Sequence, residues 1–134
     1  MSQQALEDRS LVIDYQQLLV RCLNNLAFSE RMLSLFQTQC EQEMACLEQA
    51  FQQGNAESVR RIAHRLAGAS ANAAAFGLQR SAAELRVAAA DGLNEKATES
   101  LDRLRLEWRR LGEEMSSHQN ATKNAAKSDV AVSY

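Results

Sequence analysis

The sequence predicts an all-α chain, an antiparallel up-and-down four-helix bundle preceded by a short extra helix. Three observations carry that reading. Helix formers dominate the composition, with no proline and only five glycines in 134 residues, so the residues that punctuate turn-rich folds are scarce. Apolar residues recur at three- and four-residue steps along several long stretches, the period of a helix with one buried face. Val and Ile are scattered, and no stretch alternates apolar with polar residues over a strand's length.

Taken in order, Asp14 is placed to cap a short amphipathic helix over 15–23, with Leu18, Leu19 and Cys22 on one face. The second helix is expected to begin after Ser29 and run to about Gln53, its stripe formed by Met32, Leu33, Phe36, Cys40, Met44, Leu47 and Phe51. Gly54 stops it. Asn55 suits the N-cap of a third helix that buries Val59, Ile62, Ala63, Leu66, Ala69 and Ala73 and ends near Phe76 and Gly77. A fourth is expected from about Leu78 to Ala90, with Leu78, Ala82, Leu85 and Ala89 inward and Asp91-Gly92 as its break. Asn94 caps the last, whose stripe is Leu101, Leu104, Trp108, Leu111 and Met115. Short connections between long helices make neighbours antiparallel, and their stripes then close on one core.

This divides the chain into a flexible opening, 1–12, a bundle, 13–116, and a tail, 117–134. The tail is rich in Ser, Asn, Lys and Ala and has no apolar period, so it is expected to be disordered.

A net charge of −2 offers no basic field for nucleic acid or an anionic membrane. No apolar run nears the roughly 20 residues that span a bilayer, and the opening lacks the apolar centre of a signal peptide. The expectation is a cytoplasmic monomer with neither kind of partner. Cys22, Cys40 and Cys46 have neither CxxC nor Cys/His spacing, which reads as reduced, partly buried thiols. With only two histidines, His64 and His118, and no glycine-rich phosphate loop, neither a zinc site nor a nucleotide-binding kinase is expected.

His64 is the residue with chemistry to offer. At about 100° per residue, it falls roughly 160° from the buried stripe of the third helix and points outward. A lone histidine is more often structural, but its neighbours on that face are Ala67, Gly68 and Ala71, where an ordinary exposed face carries Glu, Lys or Gln. A mid-helix glycine costs about 1 kcal/mol against alanine. Small side chains beside an imidazole let another protein's backbone come close. Arg60, Arg61 and Arg65 add positive charge that suits an incoming phosphoryl group.

The stretch Ala63-His64-Arg65-Leu66-Ala67-Gly68-Ala69-Ser70 resembles the signature of the histidine phosphotransfer (HPt) family, A-H-x-L-K-G-x-[AS]. The similarity extends from about Ile13 to Leu111: the upstream apolar helix resembles Phe36 to Leu47, the turn before the signature Gln53-Gly54-Asn55, and the downstream leucines Leu78 and Leu85. The resemblance implies a phosphocarrier, not an enzyme. His64 would accept a phosphoryl group from a receiver-domain aspartate and pass it to another receiver, in response regulators or hybrid sensor kinases. Neutral imidazole is the nucleophile, and histidine as a residue type supplies it near neutral pH. The receiver would bring the magnesium ion and the charge-stabilising pocket, so no cofactor or metal is expected here.

Two positions depart from the family pattern. Where the family has a lysine that steadies the phosphoryl oxygens, three residues after the histidine, this chain has Ala67. Arg60 and Arg61 precede the histidine and lean away from it. Folding the third and fourth helices about a turn near Phe76 brings Arg86 to the level of His64, and Arg86 with Arg65 is the expected replacement. The family's glycine ten residues after the histidine is Ala74, expected to alter one close helix contact. The alternative reading is an HPt-like adaptor that binds receivers without carrying phosphate.

Overall fold

The computed structural model describes residues 12–132, with side chains to residue 122. The flexible opening expected over 1–12 lies outside that range except for Val12, which is buried. Among the described residues there are five α-helices and no strand. They are α1 (Tyr15–Arg21), α2 (Leu26–Gln52), α3 (Ala56–Asn72), α4 (Phe76–Ala88) and α5 (Glu95–Val132), with a 3-10 turn at Ala89–Asp91 before α5.

Short polar side chains start four of these helices. Asp14 accepts from the Gln17 amide at 3.0 Å, Asn25 from Phe28 at 2.9 Å, Asn55 from Ser58 at 3.1 Å and Asn94 from Ala97 at 3.1 Å. Each satisfies an amide that the first helical turn leaves without a partner. The Asn25 cap starts α2 earlier than expected. Ser29, the anticipated boundary, is instead a buried residue of that helix whose hydroxyl donates to the Leu26 carbonyl at 2.8 Å. Two consecutive residues at positive φ, Leu23 (57°) and Asn24 (60°), end α1, and Gly54 (70°) separates α2 from α3.

α3 ends at Asn72, and Phe76-Gly77, expected to close it, instead open α4. The reason is Ala74, held at φ 58° and fully buried. A residue with a Cβ costs about 1–2 kcal/mol in this left-handed region, a cost that glycine avoids. The expectation that Ala74 alters only a helix contact is therefore corrected: the position sets a backbone reversal. Its carbonyl also accepts the Asp14 amide at 2.8 Å, fastening α1 to the turn.

α2, α3, α4 and α5 pack in sequential pairs. Arg105 pairs with Glu48, and His118 bonds Glu30 at 2.7 Å, closing the ring between α5 and α2. Since 48 meets 105 and 30 meets 118, those two helices run antiparallel. Leu47, Val59, Leu66, Leu85, Leu104 and Leu111 are completely buried at the centre, in the stripes that the periodicity assigns to them. Met32 leaves its expected stripe and is 39% exposed. Phe51, Ala69 and Trp108 are only partly buried against the core.

The helix expected to end near residue 116 continues to Val132. Residues 117–132 contain alanine and lysine but no proline or glycine. A helix already nucleated by a packed segment extends through such residues without a second nucleation cost. His118, assigned to the tail by its sequence position, stacks on Tyr15 with ring centroids 4.0 Å apart and anchors this stretch to α1 and α2. Among the described residues no helix is long and apolar enough to cross a membrane.

All three cysteines are unpaired, with Cys22 and Cys40 buried and Cys46 exposed. Burial, reinforced by nearby Glu43, pushes the Cys40 thiol up to about 12, which suppresses the reactive thiolate. Under native conditions a thiol-exchange reagent should therefore modify Cys46 quickly and the other two only after denaturation. Rapid modification persisting in Cys46→Ser would contradict the packing of α1 and α2.

Candidate functional site

α3 builds the site. Val59, Ile62, Ala63, Leu66 and Ser70 are buried along one side, and Ser70 satisfies its hydroxyl by donating to the Leu66 carbonyl at 2.7 Å. His64 lies on the opposite side and is exposed, as are Arg60, Arg61 and Gly68. Ala67 and Ala71 are half-buried shoulders beside them. The small-residue clearing expected around the imidazole is present.

Gly68 has no steric role in the folded chain, because a Cβ added there meets nothing within 4 Å. Its backbone keeps ordinary helical dihedrals, so glycine is not required by φ either. What its absent side chain provides is open space beside His64.

Toward α4, His64 shares a shallow cleft of about 230 Å³ with Glu57, Arg60, Arg61 and Arg86. The structure thus brings Arg86 to the histidine from the neighbouring helix. Ala67 faces this same side: Arg65 marks the α2 side by pairing with Glu43, and Ala67 is roughly 160° from it on the helical wheel. A lysine at position 67 would compete with Arg86 for this space. Glu57, two turns before His64 on the same face, is the member that sequence reasoning missed. Its spacing of seven residues was the available signal.

Arg65 departs from expectation. Its guanidinium forms a two-pronged bond to Glu43 on α2, with Nε to Oε2 at 2.8 Å and Nη2 to Oε1 at 3.1 Å. That pairing raises the Arg65 pKa, chiefly through the hydrogen bonds, and commits the side chain away from the cleft. The bidentate geometry fixes its direction. Arg65 therefore braces α3 against α2 and lies outside the cleft that holds Arg86.

On that α2 side a second groove is lined by Met32, Leu35, Phe36, Ala69 and Asn72, among others. Leu35 (59% exposed) and Phe28 (47%) extend the apolar surface along α2. Leu35 and Phe28 fall outside the α2 stripe, which is why periodicity alone did not assign them. At the far end of α3, Arg21 donates to the Ala71 and Asn72 carbonyls, placing a cation where the helix dipole is negative. Among the described residues no cluster of His, Cys, Asp and Glu could hold a metal ion.

The fold and the exposed histidine define a class, a helical bundle that presents one imidazole on an outer helix face. The Hpt domain family matches residues 31–114, and the chain belongs to that family. The crystal structure of the HPT domain from an Hpt sensor hybrid histidine kinase from Shewanella has the same fold. It aligns with a TM-score of 0.61 at 17% identity, covering 80% of this chain and 96% of that one. Among curated proteins, none matches this sequence.

Gly68→Ala should stabilise the chain by about 0.5–1 kcal/mol, because an exposed mid-helix glycine carries an entropic cost without filling any local need. Urea denaturation measures this. Destabilisation would show that the glycine serves packing and not access.

Proposed function

We propose that the chain is a phosphocarrier in which His64 accepts a phosphoryl group from the aspartyl phosphate of one receiver domain and surrenders it to another. The observation that carries this reading is the outward His64 on α3, flanked by Gly68 and two small shoulders, in a chain of the Hpt family. An adaptor that merely bound receivers would use the clearing but would not need the imidazole at its centre.

In this reading the receiver docks over Ala67, Gly68 and Ala71, with Phe28, Met32 and Leu35 of α2 supplying apolar contact. The exposed apolar side chains and the absent Gly68 side chain support close approach. Acceptance breaks the P–O bond to one aspartate and forms a P–N bond to imidazole, the ring's other nitrogen giving up its proton to solvent; donation breaks that P–N bond, forms a P–O bond to the second aspartate and returns a proton to the ring. The receiver contributes magnesium and the surroundings of the transferring group. This chain contributes the nucleophile and, through Arg86, Arg60 and Arg61, positive charge beside the phosphoryl oxygens. Arg86 occupies the role left vacant by Ala67.

The test is transfer from a phosphorylated receiver to the purified chain. Label should appear that is stable to base and labile to acid, and His64→Gln should abolish it. Arg86→Ala should slow transfer by about tenfold, the equivalent of one charge-assisted contact. Receiver binding without label would establish the adaptor reading instead. Unchanged transfer by Arg86→Ala would remove that arginine's role alone.

A further inference from the structure

The cleft beside His64 holds more positive charge than a single replaced lysine requires. Arg60, Arg61 and Arg86 converge there against one carboxylate, Glu57. None of the three forms an ion pair among the described residues; Arg61 donates instead to the Ser58 hydroxyl at 3.2 Å. Elsewhere Arg65, Arg103, Arg105 and Arg110 each have a carboxylate partner. Arg21, Arg31, Arg80 and Arg109 do not, but they lie on four different helices, and Arg21 is taken up by the carbonyls at the end of α3.

Like charges gathered without counter-ions repel one another, a cost that an anion removes on binding. The excess of cationic over acidic side chains in the cleft is two, which matches a phosphate dianion. Guanidinium forks also suit phosphate geometry. A volume of about 230 Å³ accommodates one such group next to the imidazole.

We propose that this cleft is itself a phosphate-binding site, so that His64 can take a phosphoryl group directly from a small donor of the phosphoramidate or acyl phosphate class, without a receiver. The proposal rests on His64 being the nucleophile of the relay reading and adds a second source of its phosphoryl group. With phosphoramidate, an imidazole nitrogen forms the new P–N bond as the donor's P–N bond breaks. Ammonia leaves and takes up the proton released from the other ring nitrogen. The three guanidiniums hold the phosphoryl oxygens before and during transfer, the contribution that a receiver's cation makes in the other route.

The test incubates the full chain with phosphoramidate and follows phosphohistidine by phosphorus NMR, with free histidine as the reference nucleophile and a phosphorylated receiver as a parallel donor. The expected result is labelling of the chain faster than free histidine, none in His64→Gln, and competitive inhibition by inorganic phosphate. Arg86→Gln and the double variant Arg60→Gln/Arg61→Gln should each slow the reaction by about tenfold. These side chains are exposed, and an unchanged helical circular dichroism spectrum confirms folding. Labelling by the receiver but not by phosphoramidate would overturn the proposal and leave the relay reading standing. Rates equal to free histidine, or unchanged in the arginine variants, would overturn it too. Failure of both donors would remove the two readings together.

Discussion

The burial of one face of α3 is the constraint on which the rest depends. Val59, Ile62, Ala63, Leu66 and Ser70 must all point inward, and a helix turning about 100° per residue then has a single direction left for His64. Exposure of the imidazole is thus a consequence of core packing, not an independent feature. The same stripe sets the two flanks. Arg65 faces α2 and pairs with Glu43, while Ala67 faces α4 and leaves room for Arg86.

Those flanks divide the surface chemically. On the α2 side, exposed leucine, phenylalanine and methionine offer apolar contact; on the α4 side, three arginines offer charge. Such a surface suits a partner that brings a phosphorylated carboxylate to the seam between them. Rigid seating matters for chemistry of this kind, since small misplacements of reacting groups are costly. α1 contributes to it from outside the bundle, through the Asp14 amide on the Ala74 carbonyl and the Arg21 guanidinium at the end of α3.

Much of this was legible in the sequence because it depends on local pattern. The Asn55 and Asn94 caps, the apolar periods and the position of His64 all follow from residue type and spacing within one helix. Arg86 was legible too, because a short turn fixes the register of two antiparallel helices. The fate of Arg65 was not, since it required knowing that Glu43, on another helix, lies at the same level. Ala74 misled because an alanine gives no sign of the left-handed backbone that a glycine would have announced. The helix through 117–132 was missed because its composition was judged by its inability to pack. Continuation of an existing helix needs only propensity, and the His118 anchor depends on residues about ninety positions away.

The central claim is that a partner reaches His64 across the small-residue clearing and the apolar edge of α2. Amide chemical-shift mapping of the isotope-labelled chain against an unlabelled, beryllofluoride-activated receiver examines that contact directly. The account predicts perturbations concentrated at residues 64–72 of α3 and 28–39 of α2. A footprint confined to α4 and α5, with the surroundings of His64 unmoved, would contradict it.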